Sequence, residues 1–283
     1  MRLFVTGATG FVGSCFVRHA IAAGHQIVAT RRQQREPVGP TGVEWLDVAL
    51  DAVGASHLAG CDALIHFAAV GVSPKQASRR ELTHWNVAVP QLLLEAAHSI
   101  GMRRVVVAGS FAEYGRSAER YDLIPADAPL LPTTSYASSK AACFATCHAT
   151  GIELGFELCY LRIFSAFGDG QFESNFWPSL RNAALAGKDF PMTGGEQVRD
   201  FVDVNEVAKA FLHAATRLDV QPGQPLVRNV GSGRPVTMRD FAETWWRRWN
   251  ARGTLLIGAL PYRPNEVMRF APLMDDDSTD CSP

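Results

Sequence analysis

Short apolar runs alternate with longer helix-like runs through the first two-thirds of the chain. The apolar runs predict β-strands at 2–6, 26–30, 43–46, 62–67, 103–109 and 156–163. The helix-like runs lie near 11–23, 76–100, 136–151, 175–187 and 204–217. Alternation of this kind is typical of βαβ units, and strands without a polar face need cover on both sides. The pattern therefore predicts an α/β fold with a doubly wound parallel sheet.

The pattern becomes less regular after about residue 165. Glycine-containing turns recur at 168–170, 194–195 and 222–223, and a helix that carries three tryptophans is predicted over about 238–250. We interpret these tryptophans as packing residues. The stretch 275–280 is acidic and polar, which predicts disorder.

Composition excludes several classes of protein. The 283 residues are 47% hydrophobic and 19% charged, with a formal net charge of -1, so we expect neither a nucleic-acid partner nor a membrane partner. The chain opens directly on a predicted strand, so we expect no secretory leader and a cytoplasmic location. The six cysteines lack the spacing of metal ligands, so we expect reduced thiols and no metal site.

The turn after the first predicted strand has the spacing Gly-x-x-Gly-x-x-Gly, at Gly7, Gly10 and Gly13. Glycine lets the backbone turn sharply and lets phosphate oxygens approach amide N–H groups, and the N-terminus of the next helix adds partial positive charge. A strand before such a turn and a helix after it favour a pyrophosphate site over a plain tight turn. We predict a dinucleotide-binding Rossmann domain over 1–165. The region 166–283 is predicted to bind mostly substrate, with a segment near 196–217 returning to the Rossmann domain.

The end of the second predicted strand bears on which dinucleotide binds. A carboxylate there would hydrogen-bond a ribose 2′-hydroxyl, but this chain has Arg31 and Arg32. Two guanidinium groups can form charge-assisted bonds with a 2′-phosphate, which favours NADP. NAD is the alternative if the two arginines are a solvated surface pair. Asp47, after the third strand, is interpreted as a contact to the adenine edge or as a turn residue.

Tyr136 and Lys140 lie four residues apart at the start of a predicted helix, and therefore on one face of it. A lysine ammonium near the ring oxygen is expected to lower the tyrosine pKa from about 10 toward the working pH. The tyrosine can then move the proton that accompanies hydride transfer at a carbinol carbon. Ser110 ends a predicted strand at the carboxyl edge of the sheet, where its hydroxyl can hold the substrate oxygen.

These residues, in this order, resemble the extended short-chain dehydrogenase/reductase family, in particular its nucleotide-sugar epimerase, dehydratase and reductase branch. The resemblance covers residues 1 to about 270 and implies an NAD(P)-dependent oxidoreductase. Its matching segments are 6–13, 66–69, 86–88, 110–115, 161–164, 199–204 and 229–233. The cofactor contacts expected on this basis are Gly7, Thr9, Gly10, Phe11, Val12, Gly13, Arg31, Arg32, Asp47, Val48, Phe67, Ala68, Ala69, Asn86, Tyr136 and Lys140.

The resemblance implies that the second region holds a nucleoside diphosphate. Asn175 would contact the diphosphate, Arg199 and Arg263 would bind phosphate, and Glu266 would accept nucleotide ribose hydroxyls. Ser110 and Phe111 complete the expected substrate contacts. The alternative interpretations are a structural ion pair of Arg199 with Asp200 or Asp203, and a plain surface charge for Arg263.

The resemblance also bears on the reaction. Sugar 4,6-dehydratases of this family carry an Asp-Glu pair directly after the serine or threonine, but here those places are Phe111 and Ala112, and Glu113 is one place out of register. We therefore do not expect a dehydratase. The basic strand end at Arg31 and Arg32 favours a dissociating NADP coenzyme, so we expect NAD(P)H-dependent reduction of the C4 ketone of a nucleotide-diphosphate-linked 4-keto-6-deoxy sugar. The main alternative is a nucleotide-sugar 4-epimerase that keeps NAD bound. A non-catalytic cofactor-binding regulator and a reductase of non-sugar ketones are further alternatives.

Family members often dimerise through two long helices, which here correspond to the predicted helices near 76–100 and 136–151. The resemblance therefore implies a homodimer.

Overall fold

The computed structural model of the protein describes residues 1–31, 41–264 and 266–274. Arg32 and the acidic stretch 275–280 lie outside the described residues. The strands are β1 (Arg2–Thr6), β2 (Gln26–Thr30), β3 (Val43–Leu46), β4 (Ala63–His66), β5 (Arg104–Ser110), β6 (Glu157–Ile163), β7 (Ser165–Phe167), β8 (Phe190–Met192), β9 (Val198–Asp203), β10 (Leu226–Val230), β11 (Pro235–Thr237), β12 (Leu255–Ile257) and β13 (Arg269–Phe270). The helices are α1 (Phe11–Ala22), α2 (Ala55–Leu58), α3 (Arg79–Thr83), α4 (Val89–Ser99), α5 (Ser135–Glu153), α6 (Phe176–Leu185), α7 (Val204–Thr216) and α8 (Met238–Arg248).

Within the described residues, seven strands form one parallel sheet in the order β10-β6-β5-β4-β1-β2-β3. The six strands predicted from apolar runs are β1 to β6, each within one residue at either end. Helices α1 and α7 cover one face of the sheet, and α4 and α5 cover the other. The predicted α/β fold with a doubly wound Rossmann sheet is confirmed.

Strand β10 is not predicted by the apolar pattern. It pairs with β6 at the edge of the sheet, and polar Arg228 and Asn229 interrupt its apolar residues. An edge strand is less covered than a central one, so it does not need a continuous apolar run. Helix α7 also joins the sheet, packing on α1 through Val207 and Phe211. Helix α7 and strand β10 of the second region therefore pack on the sheet. Val202 of β9 is buried in the same core, although β9 pairs in a separate small sheet.

The helix predicted near 76–100 is interrupted. Ser78 caps α3, with Glu81 bonding back to its backbone N–H at 2.8 Å, and a wide π-type turn follows at His84–Ala88 before α4 begins. Pro90 has no N–H to donate to the carbonyl of Asn86, four residues back, so a regular helix cannot run through this point. The turn brings Asn86 into the protein interior.

The second region builds its own small core. Helices α6 and α8 pack on each other around Leu180, Ala242 and Trp246, and the indole of Trp246 donates to the carbonyl of Gly253 at 3.0 Å. The rings of Trp245 and Trp249 lie 5.0 Å apart and pack with other aromatic rings. The interpretation of these tryptophans as packing residues is confirmed. Among the helices of residues 1–31, 41–264 and 266–274, none has the length and apolarity to cross a membrane.

Candidate active site

The glycine turn lies directly after β1, and the backbone geometry requires glycine at two positions. Gly7 has φ of +70°, and a Cβ added there would lie 2.7 Å from the amide nitrogen of Ala68. A Cβ on Gly13 would lie 2.2 Å from the carbonyl oxygen of Gly7. The turn is closed by a 2.9 Å hydrogen bond from the N–H of Gly10 to Gly7 O.

Helix α1 begins at Phe11 with no side-chain cap, since its N-cap residue is Gly10. The first N–H groups of the helix therefore face the turn without a capping side chain, which is the arrangement that binds anions. Thr9 and Gly10 are exposed at the tip of the turn, while Phe11 and Val12 are partly buried. The closely packed glycine turn and the start of α1, which no side chain caps, together form a cradle that fits a dinucleotide pyrophosphate.

The backbone after β4 forms the wall of this cradle. His66 and Thr6 are hydrogen-bonded through Nδ1 and Oγ1 at 2.8 Å, and Thr6 Oγ1 accepts from the N–H of Ala68 at 3.3 Å. Burial, with a smaller effect of the Lys140 charge, lowers the pKa of His66 to about 3, so this imidazole is neutral at physiological pH. The ring of Phe67 points into the core, 5.2 Å from that of Phe16, which leaves the backbone of 67–69 facing the cradle.

At the far end of the cradle, Arg31 and Asp47 form an ion pair. Arg31 Nε donates to Asp47 Oδ1 at 2.6 Å, and a terminal nitrogen donates to Oδ2 at 3.3 Å. This hydrogen bonding raises the pKa of Arg31 and lowers that of Asp47. Val48 packs on the core beneath them. Arg31, predicted to bind a 2′-phosphate, therefore lies next to Asp47, predicted to contact the adenine edge, and the two are hydrogen-bonded to each other.

Tyr136 and Lys140 lie on successive turns of α5. Thr134 caps this helix by accepting from the N–H of Ala137 at 3.1 Å. The ammonium of Lys140 is buried and donates to the carbonyl of Ala108 in β5 at 2.7 Å. Ser110 ends β5, and its Oγ accepts from the N–H of Ala112 at 3.2 Å. The three predicted catalytic residues are brought together at the carboxyl edge of the sheet.

The balance of effects on Tyr136 differs from the sequence expectation. Burial raises the pKa of Tyr136, and it outweighs the lowering by the Lys140 charge and by a hydrogen bond with Ser110. The expected influence of Lys140 therefore has the correct direction, but the net shift is upward. In this state the phenol is protonated at neutral pH.

Asn86 ties the loop after β4 to the catalytic helix. Its side-chain amide accepts from the N–H of Val70 at 2.9 Å and donates to the carbonyl of Val70 at 3.0 Å. The same amide donates to Ser139 Oγ at 2.9 Å, and Ser139 Oγ donates to the carbonyl of Tyr136 at 2.8 Å. Asn86, predicted as a cofactor contact, thereby connects the cradle wall to α5.

The predicted phosphate and ribose contacts come together from distant parts of the chain. A terminal nitrogen of Arg199 lies 3.5 Å from Glu266 Oε1, which also accepts from Gln197 Nε2 at 3.2 Å. Arg263 is exposed, and its backbone N–H donates to Glu266 Oε2 at 3.4 Å. The alternative interpretation, an ion pair of Arg199 with Asp200 or Asp203, is wrong, because the carboxylate beside Arg199 is that of Glu266.

Arg199 is also held by backbone. Its terminal nitrogens donate to the carbonyls of Val198, Val267 and Met268 at 2.8–3.1 Å, and burial lowers its pKa. Its guanidinium lies 5.3 Å from the centroid of the Phe270 ring. The Phe270 ring in turn lies 4.9 Å from that of Phe111, so an aromatic contact joins the Ser110 loop to Arg199.

Asn175 is the N-cap residue of α6, and its side chain makes no capping hydrogen bond. Its amide is therefore not committed to the helix, as a predicted diphosphate contact requires. Phe111 is partly buried in a cluster that also contains Phe164.

Sequence reasoning missed a buried pair behind Ser110. Glu113 Oε2 lies 2.7 Å from Arg162 Nε, and both side chains are almost fully buried, with 0% and 1% exposed. A signal was present, because an arginine within the apolar strand β6 needs an acidic partner. Gln197, which bonds to Glu266, had no such signal.

A parallel Rossmann sheet with a glycine turn after β1, and with Ser110, Tyr136 and Lys140 at its carboxyl edge, defines the extended short-chain dehydrogenase/reductase class. Comparison with known proteins agrees. The profile of the NAD dependent epimerase/dehydratase family matches residues 3–231. The chain belongs to this family and is an NAD(P)-dependent enzyme.

Three similar proteins illustrate the range of the family. The UDP-glucose 4-epimerase of Lacticaseibacillus casei is 28% identical over 313 residues, covering 98% of this chain and 93% of the relative. The dTDP-glucose 4,6-dehydratase of Streptomyces niveus is 26% identical over 297 residues, covering 96% and 84%. The solved structure of MoeE5 in complex with UDP-glucuronic acid and NAD has a TM-score of 0.84 and 27% identity, covering 98% of this chain and 91% of that one.

Proposed function

We propose that the protein reduces the C4 ketone of a nucleotide-diphosphate-linked 4-keto-6-deoxy sugar with NADPH. The observation that carries the proposal is the grouping of Ser110, Tyr136 and Lys140 beside the glycine turn, with non-protic Phe111 and Ala112 after the serine. A reduced nicotinamide bound in the cradle supplies the hydride.

The protonation state of Tyr136 favours the reducing direction. Reduction of a ketone needs a proton donor, and burial keeps the Tyr136 phenol protonated by raising its pKa. Ser110 fixes the carbonyl oxygen, and Tyr136 gives that oxygen its proton. Lys140, held at 2.7 Å by the carbonyl of Ala108, stabilises the phenolate left behind.

Arg31 supports NADP as the coenzyme. Its hydrogen bonds with Asp47 use Nε and one terminal nitrogen, and a guanidinium has five N–H groups, so donors remain for a 2′-phosphate. We expect Arg31→Ala to weaken NADPH binding about 10-fold while NADH binding changes little, because only the 2′-phosphate loses a charged partner. Fluorescence titration with both coenzymes measures the ratio. An unchanged ratio contradicts this assignment.

The second region supplies the contacts for the nucleoside diphosphate. Arg199 and Arg263 provide positive charge for the phosphates, Asn175 has an uncommitted amide, and Glu266 presents acceptors for ribose hydroxyls. The relatives named above act on or bind nucleotide sugars, which supports the same substrate class here.

Dehydration is disfavoured, although a 4,6-dehydratase is among the relatives. Phe111 and Ala112 cannot transfer protons, and Glu113 faces Arg162 in the interior, where its carboxylate is fully buried. The proton transfers at C5 and C6 therefore have no acid or base among the residues after Ser110.

A 4-epimerase is the second candidate, favoured by the 28% identity to a UDP-glucose 4-epimerase along nearly the whole chain. Such an enzyme keeps NAD bound and interconverts C4 epimers.

The homodimer through α4 and α5 also stays a prediction.

One assay separates the candidates. Purified protein is mixed with NADPH or NADH and a panel of nucleotide-linked 4-keto sugars, and the absorbance of the reduced coenzyme is followed. Stoichiometric oxidation supports the reductase. Interconversion of C4 epimers without net oxidation, with NAD retained through purification, supports the epimerase instead. Bound dinucleotide with neither activity supports a regulatory protein.

A further inference from the structure

Glu113 sits at a junction of the catalytic machinery that the proposed reaction does not use. Its Oε1 accepts from the N–H of Ser110 at 2.8 Å and lies 2.9 Å from the hydroxyl of Tyr160, and its Oε2 accepts from Arg162 Nε at 2.7 Å. The carboxylate is fully buried, so these donors replace its hydration. One side chain thus connects the end of β5 to β6.

The connection reaches the catalytic helix as well. The Tyr160 hydroxyl that bonds Glu113 also lies 3.2 Å from the carbonyl of Lys140 in α5. Arg162, on the other side of the carboxylate, donates to the carbonyl of Ala126 at 2.7 Å. A phenol has one hydrogen, so Tyr160 shares it between the Glu113 carboxylate and the carbonyl of Lys140. The backbones of Ser110 and Lys140 are therefore connected through Glu113 and Tyr160.

Stability alone is a weak reason for such a pair. A buried ion pair costs much of its attraction in desolvation, and apolar side chains of similar volume often hold two strands equally well. An apolar residue at position 113 would leave the Ser110 N–H without this acceptor. The carboxylate also forms a capping box: Glu113 binds the Ser110 backbone while Ser110 Oγ accepts from the N–H of Ala112 at 3.2 Å. With Oγ held as an acceptor, the hydroxyl hydrogen of Ser110 is left to donate toward Tyr136 or the substrate.

We propose that Glu113 is a positioning residue, which acts through the Ser110 backbone and through Tyr160 to keep the Ser110 hydroxyl and the Tyr136–Lys140 helix in register. This inference rests on the proposed function, since it assigns the support for the same catalytic residues.

The test compares three variants in steady-state kinetics. Glu113→Gln retains an acceptor for Ser110 but loses the charge that orders Arg162, and we expect kcat to fall up to ~10²-fold with little change in KM. Tyr160→Phe keeps the ion pair and removes the link to Lys140, and we expect a fall in kcat of about 10-fold. Glu157→Gln is the matched control, because it breaks the Arg104–Glu157 pair at the opposite ends of β5 and β6 and is expected to leave kcat unchanged.

A pH profile adds a readout that a purely structural role would not move. The groups around Tyr136 that affect its ionisation are Lys140 and Cys143 of α5, with Ser110 and Glu113 from β5 and the turn after it. Glu113 raises the pKa of Tyr136, so Glu113→Gln should move the basic limb of the kcat/KM profile to lower pH, where a protonated tyrosine is lost earlier. Glu157→Gln should leave that limb in place.

The outcomes distinguish failure of the proposed reaction from failure of the positioning role of Glu113. If Tyr136→Phe retains full turnover, the proposed function fails. If Tyr136→Phe abolishes turnover but Glu113→Gln and Tyr160→Phe behave like Glu157→Gln, only the positioning role fails. If Glu113→Gln does not fold, Tyr160→Phe decides: a lower kcat at unchanged KM supports the role, and wild-type kinetics overturn it.

Discussion

Two ion pairs join β5 to the β6 side of the sheet, one at each end. At the amino end, Arg104 and Glu157 meet at 2.7 Å with side chains 8% and 24% exposed. At the carboxyl end, Arg162 and Glu113 meet at 2.7 Å with 1% and 0% exposed. The chemistry and the distance are the same, but only the carboxyl-end pair bonds to a residue of the proposed catalytic group.

The amino edge of the sheet also opens a cavity of about 730 Å³, lined by residues that include Cys61, Arg103 and Leu218. None of the proposed catalytic residues lines this cavity. The glycine turn, Ser110 and Tyr136 lie together at the carboxyl edge instead, which is where parallel α/β sheets bind their ligands.

The largest expected effect comes from a substitution at the carboxyl edge of the sheet. We expect Tyr136→Phe to lower turnover by ~10²–10⁴-fold, because the proton donor is removed, while dinucleotide binding is kept. Stopped-flow oxidation of NADPH and a dinucleotide titration measure the two quantities. Turnover close to that of the wild type would contradict the assignment of catalysis to the carboxyl edge of the sheet.

Chemical denaturation compares the two ion pairs directly. Glu113→Gln leaves a buried guanidinium without its charged partner, and we expect a loss of about 3–5 kcal/mol in the free energy of unfolding. Glu157→Gln affects a more exposed pair and should cost about 1 kcal/mol. Equal losses in urea unfolding would show that burial does not distinguish the pairs.

The glycine turn offers a third comparison. Gly13→Ala puts a Cβ 2.2 Å from the carbonyl oxygen of Gly7, whereas Gly54→Ala, before α2, adds one into open space. We expect Gly13→Ala to displace the turn and to cost about 1–3 kcal/mol of binding free energy, which corresponds to about 5–150-fold weaker dinucleotide binding. Calorimetric titration of both variants measures this, and equal affinities would contradict a role for close backbone approach.

The smallest effect concerns pH. His66 has a pKa of about 3 in the folded protein, whereas an unfolded histidine titrates near 6.5, so below about pH 6.5 the unfolded state binds a proton that the folded state excludes. Stability is therefore lost as the pH falls, by about 1.4 kcal/mol per pH unit from this residue. In urea unfolding at pH 7 and pH 5, His66→Gln should reduce the pH dependence by about 2 kcal/mol. An identical dependence in both proteins would show that His66 is not the titrating group.

The sequence predicts what depends on local pattern. Strands β1, β2, β4, β5 and β6 lie inside the sheet and are mostly apolar because they are covered on both faces. The glycine turn is recognisable from its spacing together with the strand before it and the helix after it, and Tyr136 and Lys140 from their spacing together with Ser110. Strand β10 escapes prediction because an edge strand tolerates Arg228 and Asn229.

Other features depend on three-dimensional surroundings. Arg199 does not pair with its neighbour Asp200, because adjacent residues of a strand point to opposite faces; Asp200 bonds to Ser232, and Arg199 bonds to Glu266. The upward pKa shift of Tyr136 arises from burial, which residue spacing does not show. The role of Glu113 likewise depends on Tyr160 and Arg162 in the next strand of the sheet.

In the proposed reaction, Tyr136 donates a proton to the oxygen of a sugar C4 ketone, and C4 receives the hydride that a bound reduced nicotinamide would supply. The most direct test is to supply coenzyme with deuterium at the transferable position of the reduced nicotinamide, together with a nucleotide-linked 4-keto sugar. We predict one deuterium at C4 of the product, equimolar oxidised coenzyme, and almost no labelled product with Tyr136→Phe. A product without deuterium at C4, or one labelled equally well by Tyr136→Phe, would contradict it.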